Sequence, residues 1–171
     1  MKWIPLFFLL VILSACQPVL PETASDVKRP IWEEQTAAQQ LLEPIKGEEK
    51  KSYLSVYPAV FSLHEGRQHQ LTVTLSLRNR SPKDSLYISQ LHYYNGEGEL
   101  LRKYLEQPIF LRPLQTLSLV LNEKDKEGGT GASFIIKWAQ EAGPKPIFEA
   151  IMISTSGQQG LSFRTQAEQI D

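Results

Sequence analysis

Gln70-Leu71-Thr72-Val73-Thr74-Leu75-Ser76-Leu77-Arg78-Asn79 alternates without a slip. Leu71, Val73, Leu75 and Leu77 share one parity, and Thr72, Thr74, Ser76 and Arg78 take the other. Successive side chains of an extended chain point to opposite sides. The stretch therefore predicts a strand with one buried face and one wet face.

The same patterning continues on both sides. Upstream, Tyr53-Leu54-Ser55-Val56-Tyr57 reads as a strand that lies at an edge or ends at Pro58. Downstream, Ser81-Pro82-Lys83-Asp84 makes a turn before Leu86 to Tyr94. There Leu86 and Ile88 have one parity and Leu91 and Tyr93 the other, which predicts a bulge near Ser89-Gln90. Asn95-Gly96-Glu97-Gly98 is a hairpin turn into Leu100 to Leu105. A short segment follows between Gln107-Pro108 and Arg112-Pro113, then strands over Thr116 to Leu121, Ser133 to Ala139 and Ile147 to Thr155. Gly128-Gly129-Thr130-Gly131, Gly143-Pro144-Lys145-Pro146 and Ser156-Gly157-Gln158-Gln159-Gly160 are the loops between and after them, and Leu161-Ser162-Phe163 follows the last.

Seven to nine short strands at regular spacing predict an all-β domain over residues 52–165, built as an antiparallel β-sandwich. An immunoglobulin-like topology is favoured. The one cysteine in the chain leaves no disulfide to hold it. With 42% hydrophobic residues, a core of about 110 residues can be stable unaided. Trp138 shares parity with Phe134 and Ile136 and is the aromatic core candidate. Residues 166–171 are polar and are expected to fray.

The N-terminus reads differently. Met1-Lys2 is a short positive start, and Trp3 to Leu13 is an apolar run too short to span a bilayer comfortably. Leu13-Ser14-Ala15-Cys16 then resembles the lipobox of bacterial lipoproteins. The resemblance implies that residues 1–15 are a signal peptide and that Cys16 becomes the lipidated first residue. Gln17, a residue other than Asp, implies sorting to the outer membrane, facing the periplasm, in a Gram-negative envelope. Two or three acyl chains anchor a protein stably, since each buried methylene contributes ~0.8 kcal/mol. Residues 16–51 form a polar linker interrupted by Pro18, Pro21, Pro30 and Pro44. Ile31, Ala38, Leu41 and Leu42 line one side of a short, marginal helix over 31–43.

Beyond residue 16 the chain carries 17 basic and 19 acidic side chains. That balance excludes a dedicated nucleic-acid binder.

A family resemblance covers residues 52–165. It rests on Tyr93-Tyr94-Asn95-Gly96-Glu97-Gly98-Glu99-Leu100-Leu101-Arg102-Lys103-Tyr104-Leu105, on Gly128 to Trp138 and on Glu149 to Phe163. These segments resemble a bacterial family designated as a domain of unknown function, DUF3124. The resemblance implies an envelope protein, often lipid-anchored, and no particular activity.

Chemistry-bearing residues are few. His64 and His69 flank Glu65-Gly66-Arg67 in a predicted turn, and with His92 they match no zinc spacing. Gly128, Gly129 and Gly131 lack the Gly-Lys-Ser/Thr ending of a phosphate loop. Together with Gln158 and Gln159 they form a candidate interaction loop set. Glu149 shares parity with Ile147, Ile151 and Ile153, which predicts a buried carboxylate, paired with Lys137, Arg102 or backbone donors. No catalytic residue, metal or cofactor is expected. The reading is a lipid-anchored, non-enzymatic interaction module whose partners are the membrane and an envelope protein or glycan. A small-ligand or polysaccharide binder is the alternative, and an unrecognised hydrolase comes third.

Overall fold

In the computed structural model, Trp32, Glu33, Thr36 and residues 44–154 and 160–170 are described. Twelve strands run through them: β1 (Glu49–Val56), β2 (Ala59–Ser62), β3 (His64–Gln70), β4 (Thr72–Arg78), β5 (Leu86–Tyr94), β6 (Leu100–Lys103), β7 (Ile109–Leu111), β8 (Thr116–Leu121), β9 (Ala132–Ala139), β10 (Ile147–Ser154), β11 (Leu161–Gln166) and β12 (Glu168–Ile170). The all-β expectation holds. Among the described residues no helix is long and apolar enough to cross a membrane.

A six-stranded sheet has the order β12-β1-β9-β5-β6, with β7 also paired to β5. A four-stranded sheet has the order β11-β10-β4-β8, and β2 and β3 form a separate hairpin. Every strand pairing is antiparallel. The four-stranded sheet supplies Val73, Leu75 and Leu77, Leu117 and Leu119, and Phe148 and Met152 to the core. The six-stranded sheet meets them with Leu54, Val56, Leu91, Phe134, Ile136 and Trp138. Each large apolar side chain taken wholly out of water stabilises the fold by roughly 1.5–3 kcal/mol before entropy is counted. Trp138 is buried as expected, and its Nε1–H donates to Ser52 Oγ at 2.9 Å, so the indole brings no unpaired donor into the core.

The central key is immunoglobulin-like: β4 lies beside β8 and β5 beside β9, as B lies beside E and C beside F in such sandwiches. The flanks differ. The first strand, β1, borders β9, and the late β10 borders β4.

The bulge falls where the parity change requires it. Ile88 pairs with Trp138 and Gln90 with Lys137, so Ser89 is the extra residue. Ile88 and Leu91 can then both be buried.

Three expectations are corrected. The buried side of β10 is Phe148, Ala150 and Met152, whereas Ile151 and Ile153 are 38% and 40% exposed on the outer face. Both parities of this strand are apolar, and β-branched side chains suit a pleated surface whether or not it is covered. Residues 166–170 do not fray. Ala167 N–H donates to Phe148 O at 2.9 Å where the chain crosses between sheets, and β12 pairs with β1. His64 to Arg67 is strand, not turn. The hairpin reverses at Leu63, which is 86% exposed and has φ 66°, a conformation a leucine adopts only under strain.

Candidate functional site

The outer face of the six-stranded sheet is built from five strands, β12, β1, β9, β5 and β6, and register brings them into rows. Glu168, Tyr53, Ile135, His92 and Lys103 are successive cross-strand partners. One row along, Ile170, Lys51, Lys137 and Gln90 follow each other, and on the far side Ser55, Ser133, Tyr94 and Leu100. Strands stand about 4.8 Å apart, so the Tyr53-to-Lys103 row extends about 15 Å. These residues alternate with Leu54, Val56, Phe134, Ile136, Leu91 and Tyr93, which are buried, and so they point away from the core.

His92 sits mid-face. Partial burial lowers its pKa, and the positive charges of Lys103 and Lys137 lower it further. Its ring lies 6.3 Å from that of Tyr94. Lys137 Nζ is 3.4 Å from Glu49 Oε1, while Ser89 Oγ donates to Glu49 Oε2 at 2.7 Å. The Ser89 hydrogen bond is the main reason the Glu49 carboxyl titrates below its usual range. The opposite outer face is different in kind. It presents Thr72, Thr74, Ile151 and Ile153 around an ion-paired centre.

That centre is Glu149. Its Oε1 accepts from Arg78 Nε at 2.9 Å, and its Oε2 from Arg164 Nη1 at 3.4 Å. The carboxylate is paired, with only 13% of its side chain exposed, but its partners come from β4 and β11 and not from Lys137 or Arg102. It lies on the outer face with Ile151, opposite to the core, which parity alone had misassigned.

A groove of about 500 Å³ opens beside β8 and the segment after β6, lined by Trp32, Arg102, Tyr104, Gln107, Leu119 and Val120 among others. Trp32 was overlooked as a docking residue. It is helical, 6% exposed, packs edge-on to Tyr104 and donates from Nε1 to Tyr104 O at 3.1 Å. Thr36 Oγ1 donates back to Trp32 O at 2.9 Å. The rest of the expected 31–43 helix, with Ile31, Ala38, Leu41 and Leu42, lies outside the described residues. A lone tryptophan in a polar segment was the available signal. Within the groove Arg102 is committed: Nη1 donates to Asp125 Oδ2 at 2.6 Å, and Nη2 to Glu127. The Asp125 hydrogen bond holds the guanidinium protonated even more firmly than usual.

The glycine loop packs tightly against the fold. A Cβ on Gly128 would stand 1.9 Å from the Tyr93 hydroxyl, and Gly129 has φ +63° and accepts at its carbonyl from Ala59 N–H at 3.1 Å. Gly131 is exposed beside the Gly96 turn. Gln158, Gln159 and Cys16 lie outside the described residues. His64 accepts at Nδ1 from Gly66 N–H, and His69 lies on the same hairpin. Among the described residues no group of three or more His, Cys, Asp or Glu is placed to hold a metal ion.

Residues 49–170 match the model of the family described as protein of unknown function (DUF3124). The chain belongs to this family. The match spans β1 to β12, so the family unit is the whole sandwich, including the closing C-terminal strand. No curated protein matches the chain. The crystal structure of Thermotoga maritima 1070 is similar at 10% identity with a TM-score of 0.39, over 72% of this chain and 96% of its own. A likeness at that level carries no argument here.

Proposed function

We propose that the chain is a lipid-anchored interaction module of the cell envelope, contacting its partner through the outer face of the six-stranded sheet. The observation that supports the reading is the pair of cross-strand rows Tyr53-Ile135-His92-Lys103 and Lys51-Lys137-Gln90. They place aromatic, basic and amide side chains on the outer face, with Tyr53 and Lys103 exposed and Lys137 shared with Glu49. Anchoring rests on Leu13-Ser14-Ala15-Cys16. Trp32 shortens the tether. Only residues 17–31 separate Cys16 from this docked side chain, and a flexible chain of that length spans about 20 Å on average. The domain would then work close to the membrane surface.

Two measurements test the reading. Palmitate labelling of the full chain should disappear with Cys16→Ser, and persistent labelling removes the anchor. A photo-crosslinking residue placed at Tyr53 should yield a defined adduct in intact envelopes, and one placed at Ile153 should not. Equal adducts from both positions, or none from Tyr53, removes the interaction face.

A further inference from the structure

We infer that the outer face of the six-stranded sheet binds an acidic polysaccharide, with sugar rings laid on Tyr53 and Tyr94 and acid groups held by Lys103 and Lys137. The inference deepens the interaction-module reading and rests on it.

Charge is the first argument. The whole chain has a formal net charge of −1, yet this face sets Lys103 and Lys137 beside His92, with Lys51 the cross-strand neighbour of Lys137. Its acids are Glu49, already engaged by Ser89 and Lys137, and Glu168 at the border. A basic centre on a near-neutral protein selects an anionic ligand, because a neutral one would gain nothing from the cluster.

Shape and aromatic content narrow the class. A sheet face is broad and shallow, so a ligand must lie along it instead of being enclosed. Tyr53 is 40% exposed, and Tyr94 stands one row away beside His92. A tyrosine ring offers an apolar face to the C–H side of a sugar and a hydroxyl to its polar edge. The Tyr53 row ends on Lys103, about 15 Å across the strands, so a ring contact at one end and a charge contact at the other span the reach of several saccharide units. Half-buried Ser55 and Gln90 add a hydroxyl and an amide able to meet sugar hydroxyls. A protein partner would be served by a contiguous aliphatic centre, whereas the exposed aliphatics of this face, Ile170 and Leu100, stand on its opposite border strands with Ile135 between them.

The test uses the full-length chain in detergent and three immobilised polymers: polygalacturonate, neutral dextran and poly-L-glutamate. Retention on polygalacturonate is expected, weakening as salt is raised, with much weaker retention on dextran and poly-L-glutamate. Tyr53→Ala and Lys103→Gln should each weaken polygalacturonate binding about tenfold, the equivalent of one lost contact. Ile153→Ser on the opposite face should leave it unchanged, with thermal melts confirming that each variant is folded. No retention on polygalacturonate overturns the inference. So does equal retention on poly-L-glutamate that Tyr53→Ala does not alter, or equal retention on dextran. A protein adduct from Tyr53 together with no polygalacturonate binding would sink the glycan and leave the interaction face standing.

Discussion

Gly128 and the Tyr93 hydroxyl meet so closely that a methyl group on the glycine would stand 1.9 Å from the oxygen. Tyr93 is fully buried, stacked at 4.9 Å on Phe134, and its hydroxyl has no hydrogen-bond partner among the described residues. Burial pushes this phenol well above its usual titration range. The glycine loop is therefore shaped by the core beneath it.

Gly128→Ala should destabilise the domain by about 1–3 kcal/mol, the usual cost of overpacking. Tyr93→Phe removes an unpaired polar atom and should be close to neutral alone. Combined, the two should cost less than Gly128→Ala by itself but still destabilise, because the nearest clashing atom is gone while Pro58 Cγ and the ring carbon Cζ remain at 2.9 Å. Urea titration of the three variants checks this, and simple additivity would show that the loop moves aside freely.

Trp32→Ala should cost about 3 kcal/mol through lost burial and the lost bond to Tyr104 O. Trp32→Phe keeps much of the packing and should fall between. Limited proteolysis should cut the N-terminal segment faster in the alanine variant while the sandwich stays intact. Unchanged cleavage would mean that the indole does not hold the segment down.

Much of the fold was legible because its strands have one wet face. The parity of β4 could be read from Thr72, Thr74 and Ser76 as much as from its leucines. Strand β10 was not legible in the same way: Ile147, Ile151 and Ile153 compete with Phe148, Ala150 and Met152, and only packing decides between them. The polar Glu168-Gln169-Ile170 gave no strand signal, because an edge strand gains its order from backbone bonds to β1. The candidate face was illegible for a further reason. Tyr53, His92, Lys103 and Ile135 are neighbours only through register, which no local pattern records.

The Glu149 ion pairs sit at a partly exposed surface, with Arg78 and Arg164 side chains 42% and 68% accessible. Glu149→Gln should therefore cost only about 0.5–1 kcal/mol at low salt, and less at high salt. A double-mutant cycle with Arg78→Met should return most of that loss as coupling energy. Loss without coupling would place the role of Glu149 in its packing beside Ile151 instead.

Acid should expose His92. Its pKa in the folded state is depressed below the ordinary histidine value of 6.5, first by burial and then by Lys103 and Lys137. The unfolded chain thus binds a proton there more readily than the folded one. Stability from the neutral imidazole is complete above about pH 6.5 and is lost as pH falls through the folded-state value. His92→Gln keeps a polar side chain on the face but cannot titrate. Urea midpoints of the two proteins should run parallel above pH 7 and converge or cross toward pH 5, with the original chain falling faster. Every other group is common to both proteins, so its contribution cancels in the difference. A difference that stays flat from pH 7.5 to 5 would show that the lysines on this face do not act on His92.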